Sequence, residues 1–342
     1  MKTIFVVLGM SRTGTSAIAR SLKTLGVEMG EKFLPSNKIN PKGFWEDVEI
    51  MYKVNRGVSS AIHHTYLNSA TFDENVLKTN DVLSKFHDNA VNILNNRLQT
   101  VPNFGFKDPR TITIMPFWKS VFKTLGVDDR YIITVRNPLA AAMSNQRFID
   151  CTLEEGLLIW VRQLFYAIEE THGKKRVLVS YESMLQNPRL QLERIQRELA
   201  IDYVPTKEEI DLYANEFLDT SLRHYACNEE EFKTHPSTAM MPLLVPLYNL
   251  LKQLANDELS FTDEAFLSAW RDITYKFRIV EPLFCYVETL HKQNKQTEKS
   301  MLKLKRSLIW KIMKPFRMIE DILRTRRDNR KLKRRLSVYE AF

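Results

Sequence analysis

The chain has 342 residues, of which 44% are hydrophobic and 27% charged, enough for a substantial core in one large domain or two ordinary ones. No apolar run of about 18 residues occurs, which argues against a membrane-spanning helix, and three widely separated cysteines suggest neither a disulfide framework nor a zinc site. We therefore expect a globular protein of the reducing cytosol. The net charge of +9 is uneven, because residues 299–335 carry 15 Lys/Arg against 3 Asp/Glu and leave about −3 elsewhere.

The first predicted elements are a strand, a glycine loop and a helix. Residues 3–8 (TIFVVL) are apolar and rich in β-branched side chains, as a buried strand requires. The loop GMSRTGTS, residues 9–16, keeps the glycine spacing of a nucleotide-binding P-loop but has Thr15 where that loop carries lysine. Arg12 restores a cation, and its planar guanidinium suits a tetrahedral oxyanion. Apolar spacing over residues 14–25 predicts a helix whose positive end faces that anion.

Three further apolar runs, at residues 104–107, 131–135 and 177–180, alternate with helical patterns. This alternation predicts an α/β fold, with a P-loop-like, mostly parallel β-sheet flanked by helices. Arg136 follows the second of these runs and would point into the crevice where such sheets bind ligands. Ser144 lies eight residues later in the next predicted helix and is placed to share an anion with Arg136. An arginine paired with a carboxylate is the structural alternative.

The remainder of the chain has a helical pattern. From about residue 202 strand signals are few, and we expect an α/β domain at residues 1–290 and a basic, amphipathic helical tail at residues 291–342. Cations interleaved with apolar residues favour peripheral binding of the tail to an anionic membrane surface, with no specific nucleic acid as partner. Binding of RNA or of a charged polysaccharide, and a solvated charged helix, are the alternatives. The apolar stripe of the tail consists of Leu308, Ile312, Phe316, Ile319 and Leu323, with Trp310 and Met313 near it.

Together these elements resemble the sulfotransferases that use 3′-phosphoadenosine 5′-phosphosulfate (PAPS). The resemblance covers about residues 1–200 and includes GFKDPR at residues 105–110 and VLVSYESMLQNP at residues 177–188. Arg12, at a loop position where lysine is usual, is similar to the branch that modifies glycans and proteins, above all the bacterial carbohydrate sulfotransferases. The G-x-x-G-x-x-K element near the end of the small-molecule branch is missing.

The resemblance implies a reaction and a donor site. The reaction is transfer of a sulfuryl group from PAPS to an acceptor hydroxyl on a glycan or polysaccharide, in the cytoplasm or at the inner membrane face. Because a sulfuryl group carries less charge than a phosphoryl group, no metal is expected. Arg136 and Ser144 would bind the 3′-phosphate. The residues implied for the 5′ end are Arg12, Thr13, Gly14, Thr15 and Ser16.

The acceptor hydroxyl needs a general base, and Glu46 is the first candidate. It stands in GFWEDVE, a context in which the family often carries its catalytic acidic residue. A carboxylate in the first turn of a helix is favoured in its ionised form, which keeps it available as a base but weakens it. Charge complementarity at the helix end is the alternative. Asp47 and Glu49 are weaker candidates, as are His63 and His64, which titrate near neutrality.

The segment after the second predicted strand is expected beside the acceptor. Arg12 with the loop N–H groups would stabilise the negative charge that develops during transfer, and Lys107, a further catalytic candidate, would line the acceptor side. Asp108 would line the acceptor side, and Arg110 would make a second contact with an anion. Trp45 is a candidate for the wall of the same site. A structural ion pair explains the charged residues of this segment nearly as well.

Two other classes of protein remain open at this point. A P-loop kinase would bind ATP with magnesium, but the missing loop lysine and the absence of a convincing acidic strand end disfavour it. A non-enzymatic membrane or nucleic-acid adaptor would bind through its basic tail alone, and substitutions in the glycine loop would have no effect.

Overall fold

A computed structural model describes residues 2–37, 40–62, 80–149, 151–219, 221, 225, 227–313, 315–316 and 327 of the chain. The chain divides into two compact units, Met1–Ile279 and Val280–Phe342. The boundary between them lies inside the long helix Glu264–Arg306, as does the boundary predicted at residue 290. All the predicted donor and base residues belong to the first unit.

The first unit is organised around a parallel sheet, which has four strands among the described residues. They are β1 (Thr3–Leu8), β2 (Asn103–Lys107), β3 (Asp128–Val135) and β4 (Arg176–Ser180), in the spatial order β2-β1-β3-β4. Each pair is parallel, and the central strand β1 is buried along its whole length. The predicted α/β fold is thereby confirmed. The strands end where the sequence predicts and begin up to three residues earlier.

Helices fill the connections between the strands, as parallel pairing requires. The helix predicted at residues 14–25 forms one residue shorter at each end, and Gly26, in the left-handed region at φ 71°, follows its last turn. Met51–Asn55 and Leu212–Phe217 are π-helical, and Thr111–Ile114 is a 3₁₀ turn. The α-helices are α1 (Thr15–Thr24), α2 (Val48–Ile50), α3 (Arg56–Ala61), α4 (Asp81–Thr100), α5 (Met115–Leu125), α6 (Pro138–Gln146), α7 (Leu153–Glu170), α8 (Tyr181–Gln186), α9 (Pro188–Glu198), α10 (Lys207–Asp211), α11 (Glu229–Thr234), α12 (Pro236–Ala239), α13 (Leu244–Ala255), α14 (Glu264–Arg306) and α15 (Leu308–Ile312).

Apolar side chains cover both faces of the sheet. On one face Phe5 of β1 packs in a buried cluster with Leu22 of α1 and Ile195 of α9. On the other face the ring of Phe106 in β2 lies 4.8 Å, centroid to centroid, from that of Trp118 in α5. This double covering holds the carboxyl ends of β1, β2 and β3 side by side. The loops that follow those three strand ends carry most of the predicted site residues.

The second unit contains the C-terminal part of α14 and all of α15. In the part of the chain that the structure describes, no helix combines the length and apolar character needed to cross a membrane. Ile319 and Leu323 of the predicted stripe lie outside the described residues. The stripe residues that are described are largely exposed, at 76% for Leu308, 69% for Ile312 and 64% for Phe316.

Candidate functional site

The glycine loop joins β1 to α1 and is held to β3 by a buried hydroxyl. Thr13 Oγ1 donates to the backbone carbonyl of Met10 at 2.7 Å and lies 2.8 Å from Oγ1 of Thr134 in β3. The loop holds Arg12 in the left-handed region at φ 73°, which residues other than glycine rarely adopt. Thr13, which is fully buried, therefore fixes the loop conformation that presents Arg12.

Gly14 lets the start of α1 approach the ring of Tyr181. Its φ is 89°, and a Cβ at this position would lie 2.2 Å from Cδ2 of that ring. The first turn of α1, which begins at Thr15, contains no acidic residue and no side-chain cap. Ser16 donates its hydroxyl to the backbone carbonyl of Phe44 at 2.9 Å. The positive end of α1 is thus free of competing carboxylates from its own first turn and suits an anionic ligand.

The structure brings Arg12, Arg136 and Ser144 together. Arg12 Nε donates to Ser144 Oγ at 3.1 Å, and Arg136 Nη1 donates to the backbone carbonyl of Arg12 at 3.0 Å. Arg136 is 5% exposed, and its guanidinium carbon lies 5.1 Å from the ring centre of Tyr181. Burial lowers the pKa of Arg12, and the positive charge of Arg136 lowers it further. A bound anion would offset both effects, since arginine remains charged at neutral pH.

Glu46 and Lys107 form a buried ion pair beside the end of β2. Lys107 Nζ donates to Oε1 of Glu46 at 2.9 Å and to the backbone carbonyl of Phe44 at 3.1 Å. The two side chains are only 6% and 3% exposed. Arg110 Nη1 lies 3.6 Å from Oε2 of Glu46 and is itself bound by both carboxylate oxygens of Asp108. The predicted base is therefore in direct contact with the lysine predicted to assist transfer.

The neighbouring carboxylates Asp47 and Glu49 are engaged elsewhere. Asp47 Oδ1 caps α2 by accepting the backbone N–H groups of Glu49 and Ile50 at 2.9 and 3.0 Å, and Oδ2 lies 3.3 Å from Arg97. Burial raises the pKa of Asp47. Glu49 accepts a hydrogen bond from Lys53, which lowers the pKa of Glu49. Their partners give both carboxylates structural roles.

Replacing Asp47 by alanine is expected to destabilise the fold and leave kcat largely intact. The buried backbone N–H groups of Glu49 and Ile50 lose their acceptor, which costs about 2 kcal/mol of the free energy of unfolding. Urea unfolding followed by circular dichroism measures this loss. A large fall in kcat without a change in stability would make Asp47, not Glu46, the base.

One cleft of about 470 Å³ is lined both by Arg12 and Arg136 and by the Glu46–Lys107 pair. Thr13 and Ser144 are buried and are not part of its lining, and Ser144 is linked to it by the hydrogen bond to Arg12. His63 and His64 lie outside the described residues. Asp108, which was expected to line the acceptor side, is buried and absent from the lining. The predicted site residues that line the cleft are Arg12, Gly14, Thr15, Ser16, Glu46, Lys107, Arg110 and Arg136.

Sequence reasoning missed much of the lining, including three side chains that bear on the chemistry. Tyr181 begins α8, and the only signal for it was the family resemblance of its segment; Phe148 follows α6, and its ring lies 5.6 Å from the guanidinium of Arg12. Arg56 stands in a helical pattern, where a cation usually indicates a solvated face. Trp45, in contrast, is absent from the lining and packs against Phe33 in a tilted arrangement with ring centroids 4.9 Å apart.

A model of the sulfotransferase family matches residues 4–205, more than half of the chain, and spans all four strands and every predicted site residue. The chain belongs to the sulfotransferase family. Among solved structures, this sulfotransferase is similar to the sulfotransferase domain of the Synechococcus PCC 7002 olefin synthase. Identity is 16%, the TM-score is 0.39, and the alignment covers 81% of this chain and 94% of that chain. A search of curated proteins found no significant match.

The cleft of this sulfotransferase suits sulfuryl transfer. Arg12 and Lys107 supply positive charge from two of its walls, and Glu46 supplies a carboxylate in contact with Lys107. Fixed cations of this kind stabilise the negative charge that spreads over the oxygens of a transferring group. Over the described ranges, no group of three or more His, Cys, Asp or Glu side chains is placed to hold a metal ion.

Proposed function

We propose that this sulfotransferase takes the sulfuryl group of PAPS and transfers it to a hydroxyl of a carbohydrate. The donor assignment rests on Arg12 and Arg136, which both line the cleft and are connected by the hydrogen bond from Arg136 to the backbone carbonyl of Arg12. PAPS has two separated anionic groups, and the cleft has two arginines, Arg12 and Arg136, that could each bind one of them. Arg12 and the start of α1 would hold the 5′-phosphosulfate, and Arg136 with Ser144 would hold the 3′-phosphate.

The chemistry of these residues fits that donor. Arg12 makes no ion pair with a carboxylate among the described residues. Its side chain contacts the hydroxyl of Ser144 and the ring of Phe148. Its charge is therefore available for an oxyanion. Gly14 lets the ring of Tyr181, which also lines the cleft, pack against the start of α1, because a Cβ at this position would meet that ring.

Each residue of the acceptor side has a defined task in this proposal. PAPS supplies an activated sulfuryl group when bound. Glu46 accepts the proton of the acceptor hydroxyl as that oxygen attacks. Lys107 holds the Glu46 carboxylate in place at 2.9 Å and, with Arg12, stabilises negative charge on the sulfuryl oxygens. A carbohydrate acceptor is supported by Arg12, which is similar to the loop arginine of the glycan-modifying branch.

Calorimetric titration of 3′-phosphoadenosine 5′-phosphate, beside ATP with magnesium, tests the donor assignment. We expect micromolar or tighter binding of the bisphosphate to the wild type and a Kd about 100-fold higher for Arg136→Ala, because a buried, charge-assisted contact is lost. Arg136→Lys keeps the charge without the planar fork and should lie between the two. If the protein binds ATP more tightly than the bisphosphate, and the Arg136 variants bind ATP as well as the wild type does, the assignment of PAPS as donor is refuted in favour of ATP.

The matched control is Arg271→Ala, which removes an arginine that is 70% exposed and pairs with Glu264. Its affinity for the bisphosphate should equal that of the wild type. Thermal unfolding of the Arg136 variants separates a lost ligand contact from a lost fold, because Arg136 is buried.

We also propose that the tail binds an anionic membrane surface peripherally. Residues 299–335 carry a net charge of +12, and exposed apolar side chains lie among these cations. Leu308 is 76% exposed and Ile312 is 69% exposed, so the described part of the stripe is open to a partner. An exposed apolar stripe flanked by cations is the pattern of helices that lie in the interface of anionic membranes.

Neutralising three described cations of the tail, Lys303, Lys305 and Arg306, to glutamine should weaken cosedimentation with phosphatidylserine-rich vesicles about 100-fold. Each cation near an anionic surface contributes about 1 kcal/mol. Vesicles of pure phosphatidylcholine should bind neither protein.

The control for the tail variant removes the same number of exposed cations from the first unit. Unchanged cosedimentation of the tail variant, or an equal loss in the control, would refute the membrane proposal. The control positions are Lys233, Lys252 and Arg271.

A further inference from the structure

We infer that the acceptor carries an anionic group, a carboxylate or a sulfate ester, and that Arg56 binds this group beside the transfer site. This inference rests on the proposed function, since it specifies the class of carbohydrate that the same cleft receives. Arg56 lines the cleft but belongs to neither the donor group nor the Glu46–Lys107 pair.

A buried amide ties the backbone next to Arg56 to the acceptor side. Asn55, which is 0% exposed, donates from Nδ2 to Oγ1 of Thr111 at 3.3 Å. Asn55 immediately precedes Arg56, and Thr111 immediately follows Arg110. The two arginines therefore start from neighbouring points of the backbone, and Arg110 lies 3.6 Å from the carboxylate of Glu46. Arg56 thus stands on the Glu46 side of the cleft.

No described side chain compensates the charge of Arg56. Its guanidinium lies 4.5 Å from the ring centre of Tyr52, and among the described residues it makes no hydrogen bond or ion pair. Arg110 differs, because both carboxylate oxygens of Asp108 accept hydrogen bonds from it. The contact with Tyr52 restrains the Arg56 side chain without neutralising it, which leaves an oriented cation exposed at the cleft.

The other cations of the cleft wall have a polar partner or a proposed role, whereas Arg56 has neither among the described residues. Lys42, which also lines the cleft, donates to the backbone carbonyl of Glu216 at 2.7 Å. Lys107 and Arg110 balance Glu46, and Arg12 and Arg136 face the donor. A neutral sugar offers oxygen acceptors to a guanidinium but no negative charge to balance it. A carboxylate or a sulfate ester matches the planar fork of a guanidinium with two parallel hydrogen bonds, and its charge also steers the acceptor toward the cleft.

Steady-state kinetics of the full chain with PAPS test the inference on three acceptors of one backbone type. These are a neutral galactose oligomer, a galacturonate oligomer and a galactose oligomer that carries sulfate esters. In Arg56→Gln the ratio of kcat/KM for a charged over the neutral acceptor should fall about tenfold, through KM and not kcat. The galacturonate and sulfate arms show which anionic group Arg56 prefers. Lys53→Gln is the matched control, because Lys53 lies one turn earlier and pairs with Glu49.

An unchanged ratio in Arg56→Gln, or an equal fall in Lys53→Gln, would overturn the inference. So would weaker binding of 3′-phosphoadenosine 5′-phosphate to Arg56→Gln, since Arg56 would then serve the donor. Direct binding of fluorescently labelled galacturonate and sulfated oligomers gives a readout that needs no transfer. About tenfold weaker binding to Arg56→Gln supports the inference even if PAPS proves not to be the donor, and no binding of either oligomer to the wild type refutes it.

Discussion

Replacement of Glu46 by glutamine is expected to lower kcat for sulfuryl transfer by about 100- to 10,000-fold, the usual contribution of a general base. Glutamine has the shape of glutamate, and its carbonyl oxygen can still accept the hydrogen bond that Lys107 donates at 2.9 Å. What is lost is the group that takes the proton of the acceptor hydroxyl. Steady-state rates at saturating donor and acceptor measure this loss, because the proposed role lies in the transfer step and not in binding.

The Glu46 variant also leaves Lys107 buried without its counter-ion, so its folding must be measured beside its activity. Removal of one partner of a buried ion pair costs about 3–5 kcal/mol in strongly buried cases. Asp47→Ala is the matched control, because it removes the adjacent buried carboxylate and lowers stability by another route. Donor binding by Glu46→Gln should stay close to that of the wild type. If kcat falls less than about tenfold, another group accepts the proton.

Substitution of Gly14 by alanine is the second change with a large expected effect. A Cβ there would lie 2.2 Å from Cδ2 of Tyr181, so either the ring or the start of α1 must move. The left-handed backbone at φ 89° costs about 1–2 kcal/mol for alanine, and overpacking adds about 1–3 kcal/mol. Tyr181 also lies against Arg136, so binding of 3′-phosphoadenosine 5′-phosphate should be lost together with stability.

Gly173→Ala provides the control for Gly14→Ala, because Gly173 has a φ of 75° and no atom within 4 Å of an added Cβ. It should cost only the backbone strain, about 1 kcal/mol, and leave donor binding intact. Thermal unfolding and calorimetry of both variants measure the difference. Equal stability of the two variants, with donor binding retained in Gly14→Ala, would show that the approach of Tyr181 to α1 is dispensable.

The sequence was sufficient to predict the sheet because buried parallel strands leave a plain signal. Apolar runs marked all four strands, with β-branched residues in β1, β3 and β4 and phenylalanines in β2, and their carboxyl ends had to lie at one edge. That rule alone predicts that Arg12 and Arg136, which follow β1 and β3, lie close together. The hydrogen bond from Arg136 to the carbonyl of Arg12 agrees with it.

It was harder to predict that Glu46 lines the cleft whereas Asp47 caps α2. The two carboxylates are adjacent, and which of them enters the cleft depends on how the chain turns just before α2. Trp45 makes this turn in the left-handed region at φ 56°, a conformation that hydrophobic periodicity does not reveal. Arg56 was missed for a related reason, because an exposed cation on a helix has the same sequence pattern whether it faces bulk water or a cleft.

The backbone carbonyl of Phe44 serves the donor loop and the acceptor side at once, since Ser16 and Lys107 both donate hydrogen bonds to it. Under the proposed function, a Ser16 hydroxyl that turned to a bound phosphosulfate would leave this carbonyl with Lys107 as its partner. Donor and acceptor affinities would then be thermodynamically linked, so that each ligand would change the Kd of the other by the same factor. This linkage is expected as an acceptor Kd that differs between the free enzyme and the enzyme saturated with 3′-phosphoadenosine 5′-phosphate.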